Sequence, residues 1–324
     1  MPSWIYSKVL QAPENKKPAF VLQSTLNWAH ALAFEILSEH GPDPASWVGS
    51  FNKGISSTVS APKSPTPLME SVDPLISSIS FALSLRSIES PSTTAAWLRP
   101  AAVVVWYYAL YGAVRSMLSS VAQPSGDDHR KTMRAYLGSL ACRLPHPFDM
   151  RAKWVANEDY QADLPSITNP AHFNLTKSFP GTRAAARGML LQYLIGTAGH
   201  YADRTKKQLS SQFPGGFKSA AARAARDARL EKELGLMHCA FRYRGKANYR
   251  DALYLAYGQQ NPAVAARFVE DLRVSAQAFA VLALVIFRRT RGKQLATELC
   301  TDLSLSLRDV GALAAGDRFW EVVP

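Results

Sequence analysis

His238 and Arg242 stand four residues apart, and so do His200 and Arg204. On a helix that spacing puts both side chains on one face. Histidine gives and takes protons near neutral pH, and arginine offers a planar fork of N–H donors to a phosphate. Each pair is therefore suited to proton transfer beside a phosphate, although a histidine on a helix is equally compatible with a structural or surface role. A third neighbouring pair, His129 and Arg130, lies in the polar stretch AQPSGDDHRK.

The surroundings of His238 carry more of the same chemistry. The 21 residues HCAFRYRGKANYRDALYLAYG (238–258) hold one histidine, four Lys or Arg and four tyrosines. Arg242, Tyr243, Arg244, Lys246, Asn248, Tyr249 and Arg250 combine phosphate donors with stacking rings, the mixture that binders of single-stranded RNA use. A structural reading stands beside it, with Tyr249, Leu253 and Leu255 to Tyr257 in a core and the arginines bonded to neighbours such as Asp251. Both hold together if the tyrosines pack and the arginines face a partner. Upstream, FKSAAARAARDARLEKELG sets Arg223, Arg226 and Arg229 three apart on an alanine-rich helix. Such a ridge either tracks phosphates without reading bases or is a solvated face.

Charge distribution points the same way. The formal net charge is +12 and the sequence pI about 9.7. From Arg204 to Arg250 there are twelve Lys or Arg against three acids, Asp227, Glu231 and Glu233. A surplus this focused favours an anionic partner.

The elements that must position these residues are helical. A chain of 324 residues, 47% of them apolar, can bury one large core or two smaller ones. Helical spacing is predicted over 20–40, from Leu75 to about Glu89, through the apolar run after Pro100, over RKTMRAYLGSLACRL, and over 182–213, 217–244, 247–258 and 262–290. The Pro-, Ser- and Gly-rich stretch between 41 and 74 reads as a long loop, and 145–180 as a short hairpin or loop. No alternating strand series or Asn-Gly hairpin is present, so the predicted class is all-α with long irregular insertions. The expected division is an N-terminal helix and loop over 1–74, a helical domain over 75–295 with its insertion at about 145–180, and a C-terminal extension over 296–324.

Several function classes fall away. Cys142, Cys239 and Cys300 are distant and odd in number, which argues against a disulfide framework or thiolate metal site. There is no GxxxxGK[ST], strand-linked GxGxxG, HExxH or GxSxG, so neither a cofactor nor a metal is expected. The first residues lack a signal-peptide pattern. The apolar runs 101–114 and 275–287 fall short of the roughly 18–20 residues needed to span a bilayer and read as core helices. A reducing cytoplasm without membrane attachment is the expectation.

Two stretches resemble the HEPN (higher eukaryotes and prokaryotes nucleotide-binding) superfamily. VVVWYYALYGAVRSMLSSVAQPSGDDHRKTMRAYL is similar to its helix pair with an aromatic Tyr-Tyr-Ala and a His-bearing polar loop. FRYRGKANYRDALYLAYG is similar to its later helix, where an Arg-rich turn precedes a triplet matched here by Ala247-Asn248-Tyr249. The likeness covers about 75–290, with NPAVAARFVEDLRVSAQAFAVLALVIF in the place of the closing helix. It implies a helical bundle, a homodimer or a pairing with a similar subunit through the helix of Tyr107, Tyr108 and Tyr111, and a metal-independent endoribonuclease acting as a toxin or phage-defence effector. On that resemblance His238 is the expected base or acid, Arg242 and Arg244 hold the scissile phosphate and Asn248 orients it. Arg223, Arg226, Arg229, Lys246, Tyr249 and Arg250 bind RNA, with His129, Arg130, His200 and Arg204 as secondary candidates. The family's usual Arg followed four to six residues later by His is not present in the matching helix. The second expectation is accordingly a catalytically silent subunit that binds RNA or a protein partner in a larger complex.

Overall fold

The computed structural model describes residues 20–88, 94–123, 128–155, 159–162, 181–250, 255, 262–307 and 318–323. The all-α expectation holds: these residues form ten α-helices and a single three-stranded sheet. The helices are α1 (Phe20–His40), α2 (Pro44–Gly54), α3 (Leu68–Ile88), α4 (Thr94–Ser120), α5 (His129–Ala135), α6 (Arg183–Leu209), α7 (Ala220–Arg229), α8 (Leu236–Gly245), α9 (Pro262–Arg291) and α10 (Lys293–Ser306). A π turn over Lys246–Arg250 continues α8. Within it, only the backbone of Tyr249 and Arg250 is described, and most of the helix expected over 247–258 lies outside the described residues.

The long helix α9 is the axis of the fold. From Ala278 to Phe287 every residue is buried, because the run is apolar on all sides and must be enclosed by neighbours rather than face solvent. Helices α1, α2, α3, α4 and α10 surround it. An aromatic knot joins α1, α4, α6 and α8. The ring of Trp28 lies 5.6 Å from Trp106, 4.7 Å from Tyr193 and 5.0 Å from Tyr243. Trp106 Nε1 donates to Ser275 Oγ of α9 at 2.8 Å. Helix α1 thus shares one core with the helices after residue 75. Trp320, fully buried, donates to Ser304 Oγ at 3.0 Å and ties the C-terminal residues to α10.

An ionic cluster also fixes α1 to α6. Glu35 is fully buried and accepts from Arg187 Nε at 2.7 Å and Arg183 Nε at 3.2 Å. Burying that carboxylate is tolerable only because both guanidinium groups meet it.

Helices α3 and α4 approach closely because small residues line their contact. A β-carbon placed on Gly112 would lie 2.6 Å from the backbone oxygen of Pro74, and Ser78 Oγ donates to Ala109 O at 2.7 Å.

Three departures from the sequence expectation have local causes. The expected loop over 41–74 contains α2, where Asp43 accepts from the Ser46 N–H at 2.9 Å, Pro44 occupies the first turn, and Trp47 and Phe51 are buried one turn apart. The expected helix over 217–244 is broken, because the chain leaves α7 at Leu230 in an extended conformation and forms β3 (Glu233–Gly235). That strand pairs antiparallel with β1 (Arg151–Val155), which pairs on its other edge with β2 (Asp159–Ala162). The hairpin alternative for 145–180 is thus realised by the paired strands 151–155 and 159–162; 156–158 and 163–180 lie outside the described residues. Finally, the apolar stretch at 101–114 belongs to a longer helical run. Leu98–Ser120 and Leu68–Ile88 are each long and apolar enough to cross a membrane, though 72% of the first window is buried inside the fold, against 39% of the second.

Candidate functional site

The two expected His–Arg pairs on α6 and α8 are placed differently, the first exposed and the second turned into the fold. His238 is 2% exposed at the start of α8. Its Nδ1 accepts from the Gly235 N–H at 3.3 Å and its ring meets Tyr201 edge-on at 5.7 Å. Burial pushes its pKa down to about 4, Arg134 acting in the same direction and Glu231 against it. It is a neutral histidine closing a helix end, and the assignment of catalysis to His238 is corrected on that ground. Arg242 turns instead to α6, donating to Thr197 Oγ1 at 3.1 Å and lying over the Tyr193 ring at 5.6 Å. Lys246 covers the same ring at 5.7 Å. Asn248, His200 and Arg204 are exposed.

The basic ridge also changes. Arg226 is 2% exposed, bonded to Asp227 at 2.8 Å and placed 5.5 Å over the Trp154 ring, so it serves the core rather than a partner. Arg223 and Arg229 stay exposed.

What the fold does bring together is Arg244, His129 and the tyrosines of α4. Tyr107, Tyr111 and Arg115 recur every four residues and so share a face of α4. Tyr107 and Tyr111 stack at 6.0 Å, and Arg115 lies 5.8 Å over Tyr111. Asp128 caps α5 by accepting from the N–H groups of Arg130 and Lys131 at 2.8 and 3.4 Å. That cap fixes where His129 begins the helix. Its ring lies 4.4 Å from Tyr111 and 5.6 Å from Phe241, and its Nδ1 is 2.9 Å from Tyr107 Oη. Arg244, in the last turn of α8, sits 4.8 Å over Tyr107 and 4.9 Å over Phe241 and donates to Tyr108 Oη at 3.1 Å. Its Nε is buried without a hydrogen-bond partner.

Tyr108, Tyr111, Arg115 and His129 border a cavity of about 300 Å³, at the small end for ligand pockets. Asp73, Pro74, Ser77 and Phe81 of α3 form one wall; Tyr108, Tyr111, Gly112 and Arg115 of α4 and His129 of α5 form the other. Burial first, then the neighbouring charges of Arg244 and Arg115, hold the His129 pKa below its ordinary 6.5, with Asp128 opposing. Burial raises that of Tyr107, so its hydroxyl keeps its proton. The result is a neutral imidazole flanked by two guanidinium groups, an arrangement that can draw in an anion and accept a proton from it.

Since Tyr107 and Tyr111 are buried against His129, the aromatic surface expected at a dimer interface is used within the chain. Sequence reasoning placed His129 and Arg130 among secondary candidates and missed Arg115, Asp73 and Ser77. The signal for Arg115 was its spacing from Tyr107 and Tyr111; nothing local marked the α3 residues.

A larger cavity of about 510 Å³ beside α1 and α9 is mostly apolar, with the buried His30–Asp271 pair, 2.9 Å apart, at its side. None of the predicted site residues borders it. Among the described residues, no group of three or more His, Cys, Asp or Glu could hold a metal ion. Compared with protein-family models, curated proteins and solved structures, the chain finds no match. What the site can do rests on its own chemistry.

Proposed function

We propose that the protein engages RNA at the α3–α4–α5 cavity and cleaves it without a metal ion, as an HEPN-like endoribonuclease. One observation carries this reading: His129 of α5 and Arg115, Tyr108 and Tyr111 of α4 line a single cavity, with Arg244 of α8 bonded to Tyr108 Oη beside it. In the tautomer whose Nδ1–H donates to Tyr107 Oη, Nε2 of His129 has a lone pair for the ribose 2′-hydroxyl proton. Arg115 and Arg244 then stabilise charge gathering on the phosphate. Exposed Arg130, beside His129, and exposed Arg204, Arg223 and Arg229 are available to flanking phosphates. Such an activity suits a cytoplasmic toxin or phage-defence effector.

A silent RNA-binding subunit is the second reading. It is favoured by the absence of a His–Arg pair facing a ligand on α8, where His238 is buried and Arg242 is bonded to Thr197.

Labelled single-stranded RNA incubated in EDTA with the purified protein separates the two. The enzyme reading expects a 2′,3′-cyclic phosphate product, no reaction on 2′-O-methyl RNA, and a loss of about two to four orders of magnitude in rate for His129→Ala with little change in affinity. Binding without cleavage by the wild type decides for the silent subunit, and no RNA binding at all ends the enzyme reading and leaves a silent subunit only as a binder of a protein partner.

A further inference from the structure

A cut that uses the 2′-hydroxyl needs a second proton transfer, to the departing 5′-oxygen. His129 is engaged as base in the reading above, and Tyr107 is fully buried and does not line the cavity. The guanidinium of Arg115 holds its protons too firmly to give one up. Tyr108 differs from each of these. Tyr108 lines the cavity, and its hydroxyl oxygen accepts from Arg244 Nη1 at 3.1 Å. A phenol oxygen facing a guanidinium cannot donate in that direction, since every group there is itself a donor. Its single proton is left for a partner elsewhere, and the cavity lies beside it.

Resting on the ribonuclease reading, we infer that Tyr108 is the general acid of the reaction and Arg244 its positioning residue. The ribose 2′-oxygen passes its proton to Nε2 of His129 and bonds to phosphorus. The bond from phosphorus to the 5′-oxygen breaks, and that oxygen takes the proton of Tyr108 Oη. The products are a 2′,3′-cyclic phosphate and a 5′-hydroxyl. The phenolate left on Tyr108 faces the N–H of Arg244, which stabilises it where it forms. The imidazolium proton of His129, whose ring lies 6.1 Å from that of Tyr108, returns to the phenolate through solvent and restores the starting state.

The test pairs Tyr108→Phe with two substrates, ordinary RNA and RNA whose scissile 5′-oxygen is replaced by sulfur, a leaving atom that departs without protonation. Tyr108→Phe is expected to bind both as the wild type does, to cut ordinary RNA about 10²–10⁴-fold more slowly, and to cut the sulfur substrate within a few-fold of the wild type. Equal losses on both substrates, or no loss on ordinary RNA, overturn the assignment of Tyr108 while leaving the ribonuclease intact. A wild type that cuts neither substrate removes the ribonuclease reading, and the acid with it. A fluorinated tyrosine at position 108, more acidic and nearly the same shape, is expected to move the alkaline limb of the rate profile to lower pH; a limb that stays in place also rejects the acid role.

Discussion

Tyr107 Oη and His129 Nδ1 lie 2.9 Å apart, joining α4 to the first residue of α5. Burial raises the pKa of the tyrosine and lowers that of the histidine, so both partners are uncharged at neutral pH. A base works only when deprotonated, so cleavage should rise with pH through a midpoint below 6.5. Tyr107→Phe, which removes the bond holding the ring, should lower the rate about 10²-fold through misplacement. A rate–pH profile with its acid limb at or above 6.5 contradicts the assignment of His129 as base.

His238 should make stability depend on pH. Its pKa is about 4 in the folded chain against 6.5 in the reference state. Above 6.5 it is neutral in both states and pH has no effect through it. As pH falls from 6.5 toward 4 the unfolded chain takes up a proton that the folded one refuses, so stability is lost at up to about 1.4 kcal/mol per pH unit. Urea unfolding of the wild type and His238→Gln across this window should show a shallower slope for the variant; identical slopes would show that the ring is not held neutral.

The arginines of the cavity and of the α6 side should separate in RNA binding. Arg115→Gln and Arg244→Gln are each expected to weaken binding and to flatten the salt dependence by about 0.7 for a single strand. Arg242→Gln, whose guanidinium is committed to Thr197 and Tyr193, should leave the salt slope unchanged. A slope that responds equally to all three locates the RNA elsewhere.

Arg226 and its two neighbours should differ in stability rather than in binding. Truncating buried Arg226 to Ala removes its contact with Trp154 and its bond to Asp227, a cost of about 1–3 kcal/mol by denaturant unfolding. Arg223→Ala and Arg229→Ala, both exposed, should stay within about 0.5 kcal/mol of the wild type.

Gly112→Ala should destabilise the protein by about 1–3 kcal/mol. The new β-carbon would lie 2.6 Å from Pro74 O and 3.1 Å from Ser78 N, backbone atoms that no rotamer change can move aside. A lowered midpoint in thermal or urea unfolding is the expected readout, and wild-type stability would mean that the two helices are free to part.

The helices were legible where apolar residues recur at helical spacing, as in α1, α6 and α9. Helix α2 was hidden because prolines and serines around Trp47 and Phe51 look like loop composition; its anchor is the cap at Asp43 together with those two buried rings. The choice of His238 failed for a different reason. A spacing of four puts His238 and Arg242 on one face, but Leu236, Met237, Cys239 and Ala240 make the start of α8 apolar all round, and spacing cannot tell which face the core will take. Arg244 was legible as a phosphate donor from its neighbours. Its partner histidine was not, since only the packing of α4 against α8 brings His129 to it across 115 residues of chain.

The close approach at Gly112 and Ser78 gives the cavity a fixed gauge. One wall belongs to α3 and the other largely to α4, and at that level the two helices lie so near that a β-carbon on Gly112 would meet the α3 backbone and the Ser78 side chain bonds the α4 backbone. Side-chain rotation can reshape the rim, but it cannot set the walls further apart. A slot of fixed width sorts what reaches it by thickness before any donor or acceptor is consulted. For a nucleic acid, such sorting would admit an unstacked strand and turn a duplex away, with no side chain needed to read a base.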